Sequence, residues 1–108
     1  MALIRQGDVL LRRRAPLTAA ERANAQPVAR DKGRVILAYG EVTGHAHALM
    51  DPGVAQLDLT DGTRVLTVDP VSALLCHEEH DALAIAGGTY EVIRQREYSP
   101  EAIRNVAD

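Results

Sequence analysis

Ala55-Gln56-Leu57-Asp58-Leu59-Thr60-Asp61-Gly62-Thr63-Arg64-Val65-Leu66-Thr67-Val68 reads as two extended segments joined by a tight turn. Ala55, Leu57 and Leu59 alternate with Gln56, Asp58 and Thr60, the pattern of a half-buried strand with its apolar set facing a core. Asp61-Gly62 is a hairpin signal because both residues tolerate positive φ. Thr63 to Val68 is then the returning strand. This hairpin sets the class of the whole chain: antiparallel β.

The same reading extends in both directions. Upstream, Arg34-Val35-Ile36-Leu37-Ala38-Tyr39 is an apolar run of strand length, broken by Gly40. Val42 to Met50 is a further extended segment, closed by Asp51-Pro52-Gly53. Nearer the start, Gly7-Asp8 opens Val9-Leu10-Leu11, also a strand. Between them, residues 15–33 are polar and Ala-rich. There Thr18 has Glu21 three residues on, a capping-box spacing for a short helix that Pro27 ends. Asp31-Lys32-Gly33 is a turn, and 15–33 is the segment expected to be a mobile loop. Downstream, Asp69-Pro70 is read as a turn before a strand at Val71 to Cys76. Ala82 to Ala86 is the next strand, Gly87-Gly88 another turn, and Tyr90 to Tyr98 the last strand. The expected fold is all-β: a small single-domain barrel or sandwich over residues 1–108, with about eight short strands and one short helical segment near residues 18–25.

Composition bounds the function classes. The chain has 108 residues, of which 46% are hydrophobic, with three Tyr, no Phe and no Trp. Its core must therefore be built from Val, Leu, Ile and Ala, and a metal or an oligomer interface would usefully add stability. The net charge is -3, and Arg12-Arg13-Arg14 is the only basic run, so no nucleic-acid partner is expected. There is no secretory apolar region and no run of eighteen apolar residues, so no membrane partner is expected either. The single Cys76 cannot form an intramolecular disulfide. A cytoplasmic protein is expected, paired through sheet edges as a homo-oligomer and open to a small-molecule substrate.

All four histidines fall in two pairs, His45-Ala46-His47 and His77-Glu78-Glu79-His80. Neutral imidazole is the commonest side-chain ligand for first-row metals. On a strand, His45 and His47 at i and i+2 share a face and can converge on one ion at ~2.0–2.1 Å per nitrogen. At i and i+3, His77 and His80 share an ion only if the strand ends, bulges or turns at Glu78-Glu79. Glu41, Glu78 and Glu79 are the carboxylates near in sequence, with Glu41 and Glu79 the candidates for a catalytic base. The ligand types suit Zn, Fe, Mn, Ni or Cu without choosing among them. The alternative is a histidine cluster that titrates near neutrality or binds an anion.

Other residues carry weaker signals. Cys76 beside His77 is expected to face the core as a small hydrophobe. Arg94, Arg96 and Tyr98 alternate onto one face that could take a carboxylate or phosphate, or simply be solvated. Glu97 could instead orient a ligand histidine, and Thr43 could bond a metal-bound water.

Four segments together, Arg5-Gln6-Gly7-Asp8-Val9-Leu10-Leu11, Gly40-Glu41-Val42-Thr43-Gly44-His45-Ala46-His47, His77-Glu78-Glu79-His80 and Gly88 to Tyr98, resemble a small bacterial and phage-associated family of uncharacterised proteins. That resemblance implies no function, only that the motifs travel together. Gly44-His45-Ala46-His47 also resembles the opening of the cupin metal motif. It implies a double-sheet β-barrel holding a metal on its strands. The chain departs from that pattern after His47, where Ala48-Leu49-Met50-Asp51 carries no Glu, and Gly87-Gly88 follows the second histidine pair instead of preceding it.

Three functions follow as expectations. One divalent metal held by His45, His47, His77 and His80 serves a small metalloenzyme through metal-activated water or oxygen chemistry. The same metal is structural in an interaction or assembly module. Or the domain binds its ligand without metal, through the Arg94, Arg96 and Tyr98 face.

Overall fold

The computed structural model describes residues 3–40 and 44–94. Their elements are β1 (Leu3–Gln6), β2 (Val9–Arg14), α1 (Ala19–Asn24), β3 (Gln26–Pro27), β4 (Val35–Tyr39), β5 (Ala46–Leu49), β6 (Val54–Asp58), β7 (Arg64–His77) and β8 (His80–Arg94). The strands form one antiparallel sheet curled into a half barrel. Its path runs β1-β2-β8-β7-β5-β4, with β6 paired to β7 and β3 paired to β6. Among the described residues the all-β expectation and the single short helix hold.

The hairpin at Asp61-Gly62 forms as its sequence predicts. Gly62 takes φ +91, and β6 pairs β7 from Val54↔Val68 to Asp58↔Arg64. The facing of β6 differs from the expectation. Val54 and Gln56 are buried while Ala55 is exposed. Gln56 enters the interior because its Nε2 donates to the Ile36 carbonyl at 2.9 Å. Leu57 and Leu59 pack instead into a second, smaller cluster with Leu17 and Val65. With apolar contacts on both sides of this strand, polar alternation no longer reports which side is the main core.

Two expected turns are bends inside long strands. β7 runs unbroken through Asp69-Pro70 and β8 through Gly87-Gly88. The pairing passes from Val68↔Gly88 to Ser72↔Ala86, so three residues of β7 face one of β8. Proline has no N–H for the ladder and is accommodated at such a bulge. Gly87 lies against it so closely that a Cβ there would sit 2.4 Å from the Pro70 carbonyl oxygen. The bend lets the pair of strands curl over the core and lets β7 serve two partners: β6 along its first half, and β5 at its end through Leu49↔Leu75 and Ala48↔Cys76.

The main core is aliphatic, as the composition requires, with Val9, Leu11, Leu49, Leu66, Leu75 and Ile85 fully buried. Tyr90 is buried among them, its hydroxyl donating to the Ala86 carbonyl at 2.6 Å and accepting from Arg13 Nη1 at 3.2 Å. Segment 15–33, expected to be a loop, contains α1 and β3. The Thr18 capping box is present, with Glu21 N donating to Thr18 Oγ1 at 3.1 Å and Thr18 N to Glu21 Oε1 at 3.0 Å. Glu21 also accepts from Arg14 Nη2, so polar contacts hold a helix that buries no residue. Among the described residues no helix is long and apolar enough to cross a membrane.

Candidate functional site

The second histidine pair is explained by a hairpin. β7 ends at His77, Glu78-Glu79 make the turn, and His80 opens β8 directly opposite His77. Residues i and i+3 of one strand face opposite ways, but across a two-residue turn they stand side by side. Their ring centres are 4.7 Å apart.

The first pair arrives from β5, which pairs with the end of β7. His47 lies on that strand and is buried to 2% exposure, on the face it shares with Leu49. His45 precedes the strand and stays half-buried. The His47 ring centre is 4.2 Å from that of His77 and 5.8 Å from that of His80, and His45 meets His77 edge-on at 6.0 Å. All four imidazoles therefore gather at one end of the half barrel. Three imidazoles sharing an ion place their ring centres about 4.5–5.2 Å apart; the 4.7 Å between His77 and His80 falls in that range, whereas the 4.2 and 5.8 Å from His47 to His77 and to His80 lie on either side of it.

The two glutamates of the turn tie the pairs together. Glu78 Oε1 accepts from the Ala46 backbone N–H at 2.9 Å, fixing the start of β5 against the hairpin. That hydrogen bond is the main reason its carboxyl lies below the usual glutamate range. Glu79, the expected base, is engaged twice: Oε2 is 2.8 Å from His45 Nδ1, and its backbone N–H donates to His77 Nδ1 at 3.0 Å. These bonds turn ring nitrogens toward the hairpin. Among the described residues no set of three or more His, Cys, Asp or Glu side chains already converges on a common ion position.

Glu41 and Thr43 lie outside the described residues, as do Arg96, Glu97 and Tyr98, so the expected anion-binding face is seen only at Arg94. Cys76 does not join the core as expected. It is half-buried, with Sγ 3.9 Å from the Leu74 carbonyl, because its face of β7 lies opposite Leu75.

Two residues that sequence reasoning did not single out are central to the site. The β1–β2 turn, Gln6-Gly7-Asp8, packs directly against the histidines. Gln6 is buried, and its Nε2 donates to the carbonyls of Leu75 and Asp81, both at 3.0 Å. Its amide oxygen must therefore face His47, whose Nδ1 lies 2.9 Å away and donates to it. Asp8 places Oδ1 3.3 Å from His47 Nε2, while Oδ2 accepts from Arg94 Nη2 at 3.2 Å. Gly7 has φ +59, and a Cβ there would lie 2.8 Å from His80 Nε2 and 3.1 Å from His47 Cε1. Glycine takes this positive φ without strain and leaves room for both rings. The available signal was a polar pair flanking a glycine at the head of an apolar strand.

Burial sets the charge state of the site. It is the largest influence on His47, and with the charge of His77 it pushes the imidazole down from 6.5 to about 4, although Asp8 pulls the other way. Burial likewise pushes the Asp8 carboxyl up, but the hydrogen bond and charge of Arg94, with His47, outweigh it and hold Asp8 below the ordinary value. Near neutrality the site thus pairs a neutral buried imidazole with an ionised carboxylate.

Arg94 also borders a cleft of about 740 Å³ lined by Asp58, Arg64 and Glu91 among others. Arg64 is held there by both oxygens of Asp58, at 2.7 and 2.9 Å. Arg94 Nε is buried without a hydrogen-bond partner among the described residues.

Fold and site together define a small antiparallel β half barrel with a histidine cluster at one end, faced by a Gln-Gly-Asp turn. The chain belongs to the family described as Domain of unknown function (DUF8820), which it matches over residues 5–95, a span that includes every residue of this cluster. No curated protein and no solved structure matches it.

Proposed function

We propose that this domain binds one divalent transition metal at the histidine cluster, with His45, His47, His77 and His80 as its candidate ligands and Zn, Fe, Mn, Ni or Cu as its candidate ions. The observation that carries the reading is the gathering of all four rings from two distant sequence pairs. The last torsion of histidine is broad, so the rings can turn from their hydrogen bonds toward an ion without moving the backbone. His47 on β5, with His45 just before the strand, carries the His-x-His pair that in sequence resembles the opening of the cupin metal motif.

The site grades from buried His47 to exposed His80 and Glu79. That gradient favours an ion with an exchangeable position on the solvent side over a sealed structural one. A metal so placed supplies a Lewis acid or an activated water. Glu79, once released from His45, would be the carboxylate to serve as general base. A filled tetrahedron of four imidazoles would instead make the domain a structural or assembly module.

Elemental analysis of tag-free protein purified without chelators tests the reading, followed by anomalous scattering to place the ion. About one equivalent of one metal at the histidines supports it. Metal-free protein that takes up none of the five ions on titration overturns it.

A further inference from the structure

We infer that Asp8 supplies a carboxylate ligand to this site and that Gln6 is the positioning residue that readies His47 to share the ion. The inference rests on the metal reading above and changes its ligand set.

The Gln6 amide fixes the tautomer of His47. Its NH2 is committed to two backbone carbonyls, so its oxygen is the acceptor presented to His47. His47 therefore carries its proton on Nδ1, and in the neutral ring Nε2 holds a lone pair. That lone pair faces Asp8 Oδ1 at 3.3 Å, an acceptor opposite an acceptor. Such a facing pair is satisfied by a cation between the two atoms. Two ligands at ~2.0–2.2 Å from an ion, about 90–109° apart, stand ~2.8–3.6 Å from each other, so the observed spacing is that of neighbouring ligands.

The surroundings orient the carboxylate for that role. Arg94 holds Oδ2 while Oδ1 lies toward His47, and the arginine is the kind of outer contact that aims a metal-binding carboxylate. Gly7 brings the same turn so near His80 that a Cβ there would lie 2.8 Å from its Nε2, so a second ring borders the position. His77 is arranged differently. Its Nδ1 accepts from Glu79 N–H, which puts its proton on Nε2 in the neutral ring and makes it a donor rather than a ligand in this state. A mixed imidazole and carboxylate set suits Zn, Fe, Mn or Ni and leaves positions open, unlike four imidazoles.

The test compares Zn²⁺ and Co²⁺ titrations of the full chain with those of Asp8→Asn, Gln6→Leu and His47→Ala, each checked for native circular dichroism. The visible bands of bound Co²⁺ report the ligand set. Loss of an outer contact weakens metal binding about 10–100-fold, and Gln6→Leu is expected in that range. Asp8→Asn is expected to weaken binding more than Gln6→Leu and to shift the Co²⁺ bands. If Asp8→Asn does not fold, the ¹³Cγ resonance of Asp8 in the wild-type chain decides: it shifts on Zn²⁺ addition if Asp8 ligates. Wild-type affinity and bands in Asp8→Asn, or an unmoved Asp8 resonance, with binding lost in His47→Ala, overturns the Asp8 assignment alone. A wild-type chain that binds neither Zn²⁺ nor Co²⁺, nor Fe, Mn, Ni or Cu in the same titration, overturns the metal reading and this inference together.

Discussion

His47 Nδ1 donates to Gln6 Oε1 at 2.9 Å across 41 positions of sequence, and the same Gln6 amide is anchored to the backbone of Leu75 and Asp81. One buried glutamine thus couples β1, β5 and the β7–β8 hairpin. Replacing Gln6 by Leu leaves a buried imidazole N–H and two carbonyls without their partner. The expected cost is about 1–3 kcal/mol, the penalty of unsatisfied buried polar groups, measured as a lower midpoint in urea. The ¹⁵N spectrum of His47 should also lose its single Nδ1–H tautomer.

The depressed pKa of His47 predicts a pH dependence of stability in metal-free protein. The unfolded chain takes up this proton near 6.5, whereas the folded chain resists until about 4. The unfolded state therefore binds more protons between those values, and stability falls as pH drops through that window. Above about 6.5 the His47 contribution is complete, and below about 4 it no longer changes. Asp8, lowered from 3.8, acts in a separate and more acid window, contributing stability above it and losing it below. Urea midpoints at pH 7.5 and 5 should differ in the wild-type chain and converge in His47→Gln.

Gly87→Ala should weaken the fold at a distance from the histidines. Its Cβ would meet the Pro70 carbonyl oxygen at 2.4 Å, backbone against backbone, at the bend of the long strands. Overpacking of this kind costs about 1–3 kcal/mol. Gly33→Ala is the control, since nothing lies within 4 Å and only its positive φ opposes the change. Thermal melts should rank Gly87→Ala well below Gly33→Ala.

Gly7→Ala should damage the site. The added methyl meets His80 Nε2 at 2.8 Å and His47 Cε1 at 3.1 Å. These are side-chain atoms that can turn aside, so the chain is expected to keep its β circular dichroism while its Zn²⁺ affinity falls. Unchanged affinity would show that the β1–β2 turn lies outside the binding geometry.

Local chemistry was legible in the sequence, and the relations between distant segments were not. Asp61-Gly62 and the Thr18 and Glu21 cap specify their own geometry through positive φ and a three-residue hydrogen-bond spacing, and both form. Asp69-Pro70 and Gly87-Gly88 carry turn chemistry too, but each sits opposite the other across a ladder, and that pairing makes a bulge of what either alone would make a turn. The histidines announce themselves by spacing and by the absence of any others. Gln6 and Asp8 do not, because a glutamine and an aspartate beside a glycine are ordinary turn residues. Only the pairing of β2 with β8, and of β8 with β7, brings that turn to the cluster.

The central claim is that both histidine pairs serve one ion, and native mass spectrometry of Zn²⁺-refilled, tag-free chain tests it most directly. The comparison is between the wild-type protein and two double variants, His45→Ala with His47→Ala, and His77→Ala with His80→Ala. The account predicts one ion per wild-type chain and none in either double variant. No ion on the wild-type chain, or a full equivalent retained by either double variant, would contradict it.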